Sequence, residues 1–102
     1  MTKRLDMLEK LVASGTADSF AHYALALVYR REKRIADALS TFEKLRHKDS
    51  DYLPMYLMAG EVCAEEGRDT DARQWLEAGI ALASKKGDGK TQNELEAALE
   101  RL

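Results

Sequence analysis

The side chains that could do chemistry are few and scattered. The only thiol nucleophile is Cys63, and the only candidate general bases of imidazole type are His22 and His47. Nucleophilic catalysis needs the base within hydrogen-bond reach of the nucleophile and a third group to orient it. His22 and His47 fall in different helical stretches with no Ser, Cys or carboxylate at a motif spacing around them. Each therefore reads as a packing or surface histidine. Cys63 lies on an apolar stripe, where a thiol serves as a small hydrophobe. No two Cys or His residues stand at metal-ligand spacing. Gly89-Lys90-Thr91 ends like a phosphate-binding loop, but Ser84 stands where that loop needs another Gly, and a helix precedes it where a strand is required. The basic run Arg30 to Arg34 (RREKR) could meet nucleic acid or an acidic tail; its own Glu32 and the Asp and Glu residues around it offset that charge, and it reads as a solvated turn. The residues assign no catalytic group, no metal and no cofactor, and the chain is expected not to be an enzyme.

The elements that carry these residues follow a helical period, with no convincing strand. Leu5, Leu8, Leu11 and Val12 form one apolar stripe, stopped at Ser14-Gly15. Asp18 or Ser19 caps a second helix bearing Phe20, Ala21, Ala24, Leu25, Val28 and Tyr29. A third carries Ile35, Ala38, Leu39, Phe42 and Leu45 up to the break at HKDSD. Pro54 then suits a first helical turn, since the N–H it lacks has no intrahelical partner there. That fourth helix runs to about Glu66, with Gly67 behind it. Asp69 or Thr70 starts a fifth with Ala72, Leu76, Ile80 and Leu82. After KKGDGK, a sixth places Leu95, Ala98, Leu99 and Leu102 at i, i+3, i+4, i+7 spacing. Short connections make neighbours antiparallel, so six helices in hairpins are expected.

Composition bounds the class. The chain has 102 residues, of which 33% are charged and 45% hydrophobic, as in one small folded helical domain. A formal charge of −2 gives no whole-molecule attraction to nucleic acid or an anionic membrane. One cysteine excludes an internal disulfide and suits a reducing compartment. The opening MTKRLDMLEKL has no continuous apolar run, and no stretch approaches the roughly 20 apolar residues that span a bilayer. A cytoplasmic location without membrane association is the resulting expectation.

The chain also repeats itself. Asp37-Ala38 recurs as Asp71-Ala72, an offset of 72 − 38 = 34 residues, at which Val28 meets Val62, Glu32 meets Glu66, Arg34 meets Arg68 and Glu43 meets Glu77. A fixed period of this size marks a stacked repeat architecture. Each unit, 19–52 and 53–86, resembles the tetratricopeptide repeat. The positions that carry the resemblance read His22, Leu25, Ala26, Tyr29, Ala38, Phe42 and Leu45 in the first unit. In the second they read Tyr56, Ala59, Gly60, Cys63, Ala72, Leu76 and Gly79, with Gly67 at the turn. Ser50 and Ser84 replace the family's closing Pro, Cys63 its Tyr, and Leu45 fills a usually small position. Shifted by the same period, the N-terminal helix (1–15) aligns with the second helix of a preceding unit, Leu8 on Phe42 and Leu11 on Leu45. Residues 90–102 supply a capping first helix. Because a repeat cannot bury its apolar face alone, the expectation is one all-α domain: a complete, short right-handed α-solenoid of about six helices.

That resemblance implies a non-catalytic protein-interaction module. In this family the first helices line a concave face, into which Phe20, Tyr23, Leu27 and Arg30 would project from the first unit. From the second unit Pro54, Leu57, Glu61 and Ala64 would do so, with Met58 adjacent. An apolar groove edged by Arg30 and Arg31 suits an amphipathic helix or extended peptide. The Lys and Asn with which some relatives hold a peptide carboxylate are absent at the matching positions, which disfavours a chaperone-tail adaptor. The alternative is a self-associating structural protein, a homodimer paired through groove residues or through Leu95, Leu99 and Leu102. Trp75, one position before the core aromatic slot, is placed either between repeats or at a groove edge, with burial favoured.

Overall fold

The computed structural model describes residues 2–102. Its elements are all α-helices: α1 (Lys3–Ala13), α2 (Ser19–Arg31), α3 (Ile35–Lys48), α4 (Pro54–Glu65), α5 (Asp69–Lys86) and α6 (Gly89–Glu100). No strand occurs among the described residues. The number of helices, their order and the helical-repeat class are those expected from the periodicity. Contacts group the chain into two compact units, one up to Ser50 and one from Asp51 to Leu102.

In the first unit α2 packs against both α1 and α3. Each helix starts and stops for a local reason. Thr2 caps α1, its hydroxyl accepting the Leu5 N–H at 3.0 Å. Asp18, in extended conformation, caps α2 by accepting the Ala21 N–H at 2.8 Å. At the far end of α2 the chain reverses through Lys33 at φ 61°, and the Arg34 N–H returns to the Tyr29 carbonyl at 2.9 Å. The Ser19 hydroxyl then donates to Asp49 at 2.6 Å, fastening the start of α2 to the end of α3. Leu5, Leu25 and Val28 form a buried cluster flanked by Leu8, Val12 and Tyr29. Phe42, Leu45 and Ala38 of α3 are fully buried, and Tyr23 of α2 meets the Phe42 ring at 6.5 Å. Thr41, buried and polar, is satisfied by donating to the Asp37 carbonyl one turn back, at 2.7 Å.

The second unit is built on close approach. α4 and α5 are antiparallel: Gly60 of α4 faces Leu76, while Tyr56, one turn earlier, faces Gly79. A Cβ added at Gly79 would lie 2.7 Å from the Tyr56 Cβ and 3.0 Å from a Leu95 methyl, so α4, α5 and α6 converge on that glycine. Trp75 is buried and meets the Tyr56 ring edge-on at 5.8 Å, which places it in the core of this unit and not on a groove rim. Pro54 stands at the start of α4, and Gly87 in left-handed conformation ends α5, letting the Asp88 N–H reach the Ala83 carbonyl at 2.9 Å. Leu95 and Ala98 of α6 are buried.

Candidate functional site

The groups that could do chemistry are dispersed or already engaged. Cys63 is buried, with no exposed thiol. His47 is exposed on α3 beside Glu43 and Arg46, and His22 holds the Asp18 carbonyl through Nδ1 at 2.9 Å. No group of three His, Cys, Asp or Glu side chains among the described residues is placed to hold a metal ion. The glycine-lysine-threonine stretch opens α6, and the Thr91 donors are spent within the chain. The Thr91 N–H gives to Asp88 at 3.0 Å and the Thr91 hydroxyl to the same carboxylate at 2.8 Å. Those two bonds hold the Asp88 carboxyl below its usual range. A carboxylate thus occupies the place where a phosphate would need those donors. Among the described residues no helix is long and apolar enough to cross a membrane.

One polar cluster ties the first unit together. The Tyr29 hydroxyl donates to Glu9 of α1 at 2.5 Å, the Arg34 guanidinium lies 4.7 Å above the Tyr29 ring, and Arg34 Nε bonds Asp37 at 2.9 Å. Burial, reinforced by the bond to Glu9, pushes the Tyr29 phenol up to about 12. The repeat does not copy this cluster, since the position equivalent to Tyr29 is Cys63. Its bonds join α1, α2 and α3, so its role is to hold the three helices.

The residues expected on the interaction face are accessible in each unit. On α2, Phe20 and Arg31 are exposed, and Tyr23, Leu27 and Arg30 are half-buried. The other side of the same helix carries Ala24, Leu25 and Val28, all buried. On α4, Leu57, Met58 and Glu61 are half-buried, whereas Ala59, Val62 and Cys63 behind them are buried. Each helix therefore keeps large side chains on its open face and gives its other face to the core. Tyr23 also packs on Phe42. Glu61 borders a cleft of about 260 Å³ at the end of α4, shared with Glu65, Ala98, Arg101 and Leu102.

Phe20, which the periodicity aligns with the apolar stripe, is 63% exposed, and so are Met7 (64%) and Leu11 (40%) of α1. With Leu8 they line a second, larger cleft of about 560 Å³ between α1 and α2. Met7, Leu8 and Leu11 were not among the residues expected to bind anything. A signal for them existed: α1 has five large apolar side chains (Leu5, Met7, Leu8, Leu11, Val12) within eleven residues, a wider stripe than one neighbouring helix covers.

Comparison with known proteins places this architecture. The family model described as the tetratricopeptide repeat matches residues 29–88. The crystal structure of a tetratricopeptide repeat domain protein from Salinibacter ruber is 32% identical, covers 83% of this chain and 94% of its own, and superimposes with a TM-score of 0.77. A solution structure of a tetratricopeptide repeat domain protein from the same organism is also 32% identical, covering 82% of this chain and 85% of its own, with a TM-score of 0.78. The solution structure of a Bordetella parapertussis protein, 27% identical, covers 99% of this chain and 88% of its own, with a TM-score of 0.83. None of the curated proteins matches the chain. On the family match and on 32% identity over most of both chains, this protein belongs to the tetratricopeptide-repeat family.

Proposed function

We propose that this protein is a non-catalytic protein-interaction module that receives a peptide or helix of a partner protein on the open faces of its first helices. Tetratricopeptide-repeat domains generally mediate protein interactions and are generally non-catalytic scaffolds. The observation that carries the reading is the two-faced character of α2 and α4. Tyr23 and Leu27 on α2, and Leu57 and Met58 on α4, remain partly open to solvent, while the opposite sides of both helices are buried. Side chains of this type release bound water on contact and are the usual anchors of an amphipathic ligand. Phe20, Arg30 and Arg31 add an apolar contact and two cations on α2, and Glu61 adds an anion on α4. A ligand with an acidic residue beside its apolar stripe fits the α2 face. Cytoplasmic residence goes with this reading, since the single cysteine is kept as a buried thiol.

Affinity capture from native lysate, followed by mass spectrometry, tests the proposal. Tyr23→Ala weakens capture through α2 and Leu57→Ala through α4, each by roughly tenfold or more if it removes an anchor. Unchanged far-ultraviolet circular dichroism shows that the variants fold. Full capture by both folded variants would refute the assignment of these faces. The self-association reading has less support, because Leu95, one of its three terminal apolar residues, is fully buried within its own unit.

A further inference from the structure

The cleft between α1 and α2 is an empty seat whose counterpart in the second unit is filled. Met7, Leu11 and Phe20 are the large apolar side chains left exposed among the described residues, and all three border this cleft. Two repeat periods (75 − 7 = 68) carry Met7 onto Trp75, Leu8 onto Leu76 and Leu11 onto Gly79. In the second unit this strip of α5 lies under α4. Trp75 receives the edge of the Tyr56 ring, Leu76 abuts Gly60, and Gly79 admits the Tyr56 Cβ. On α1 the equivalent strip is open.

We propose that the α1–α2 cleft docks one amphipathic helix of a partner protein, laid antiparallel to α1 as α4 lies along α5. The side chains set its chemistry. Leu11 adds volume where Gly79 leaves space, so a helix that approaches α1 as closely as α4 approaches α5 has Ala or Gly where α4 has Tyr56. Leu8 repeats Leu76, so a second small residue follows four positions later, where α4 has Gly60. Met7 supplies a flexible apolar side chain that adapts to the helix crossing it. Charge fixes the direction. α1 and α2 form a hairpin, so Arg4 on the first turn of α1 and Asp18 at the cap of α2 mark opposite ends of the cleft. A helix antiparallel to α1 brings its positive N-terminal end to Asp18 and its negative C-terminal end to Arg4. A basic residue in its first turn and an acidic one in its last complete the match. Area favours a single partner helix over a second copy. The three exposed side chains offer on the order of 300 Å², a patch of functional size but far below the ~800 Å² that each partner contributes to a stable dimer.

The test uses two stapled helical peptides carrying the α4 sequence from Pro54 to Glu65, each with an added N-terminal lysine. One keeps the tyrosine and the other has the Tyr56→Ala change. Binding is followed by the methyl resonance of Met7 in the full chain and by fluorescence polarisation. The alanine peptide is expected to shift the Met7 methyl and to bind more tightly than the tyrosine peptide. Met7→Lys, at an exposed position that tolerates it, weakens binding by roughly tenfold. Leu11→Gly, which recreates the glycine of the second unit, reverses the preference between the two peptides. Tyr23→Ala and Leu57→Ala leave this binding unchanged, so the cleft and the open faces proposed above fail or stand separately. The proposal is overturned if neither peptide moves the Met7 methyl at millimolar concentration, or if Met7→Lys leaves affinity intact. It is equally overturned if light scattering of the chain alone shows a dimer that Met7→Lys dissolves, which would give the cleft to a second copy.

Discussion

Replacing Gly79 by Ala tests whether the second unit is as closely packed as its glycine implies. The added Cβ would sit 2.7 Å from the Tyr56 Cβ and 3.0 and 3.1 Å from the two Leu95 methyls. The leucine can change rotamer. The tyrosine Cβ is fixed to the α4 backbone, so relief requires α4 to move away from α5, loosening the Tyr56–Trp75 contact. Overpacking costs about 1–3 kcal/mol, and a clash with a Cβ fixed to the backbone falls in the upper part of that range, about 2–3 kcal/mol. Exchanging Gly for Ala within a helix returns about 1 kcal/mol of propensity. The net expectation is a loss of about 1–2 kcal/mol, or a fall in melting temperature of roughly 5–15 °C for a domain this small. Urea denaturation followed by circular dichroism measures it, with the slope unchanged if the native state stays intact. Gly89→Ala is the control, because nothing lies within 4 Å of a Cβ there; it should be neutral or stabilise by up to about 1 kcal/mol. Equal stability of Gly79→Ala and the parent chain would refute the close approach of α4.

Other predictions concern backbone strain and protonation in the first unit. Lys33 holds φ 61° where its repeat equivalent, Gly67, holds φ 73°. Lys33→Gly should therefore stabilise by about 0.5 kcal/mol, the left-handed penalty on a side chain less the added entropy of the unfolded glycine; destabilisation in a thermal melt would count against it. The Tyr29 phenol rises from 10.0 to about 12 on folding, so the neutral form is favoured in the native state. Its stabilising effect is complete below pH 10 and is lost as pH climbs from 10 through about 12. Phenolate absorbance should show one late-titrating tyrosine that vanishes in Tyr29→Phe; an unchanged titration in that variant would sink the assignment.

Most of the fold was legible because two independent regularities agree. The 34-residue offset and the helical spacing of apolar residues predict the same six helices, and turn residues such as Gly15, Pro54 and Gly67 locate the breaks. Cover was not legible. Periodicity gives the direction in which Phe20 and Leu11 point, but not whether another helix arrives on that side, and both remain exposed. The same limit applied in reverse to Trp75, whose burial depends on Tyr56 reaching it across the space that Gly79 leaves. Lys33 carried a signal only through the repeat, which sets it on Gly67 at the turn; its residue type gives none, and the backbone shows that the lysine takes the same left-handed conformation.

A single repeat position shows how two similar units come to differ. Leu11, Leu45 and Gly79 occupy the same register, each 34 residues from the next. Where the residue is glycine, the neighbouring helix closes in until its Cβ carbon fills the vacant volume, and the strip beneath it becomes core. Where it is Leu11, no helix of the described chain covers it, and the side chain keeps 40% of its surface in water. Leaving apolar surface wet forgoes about 25 cal/mol for every Å². A helix that covered Met7, Leu11 and Phe20 would gain that energy without any rearrangement of the unit, because the cleft already stands open. Leu45, in the same register, is fully buried in α3, so the α1 strip is wet because no helix among the described residues covers it, and side-chain volume at this position sets only how closely a covering helix can approach.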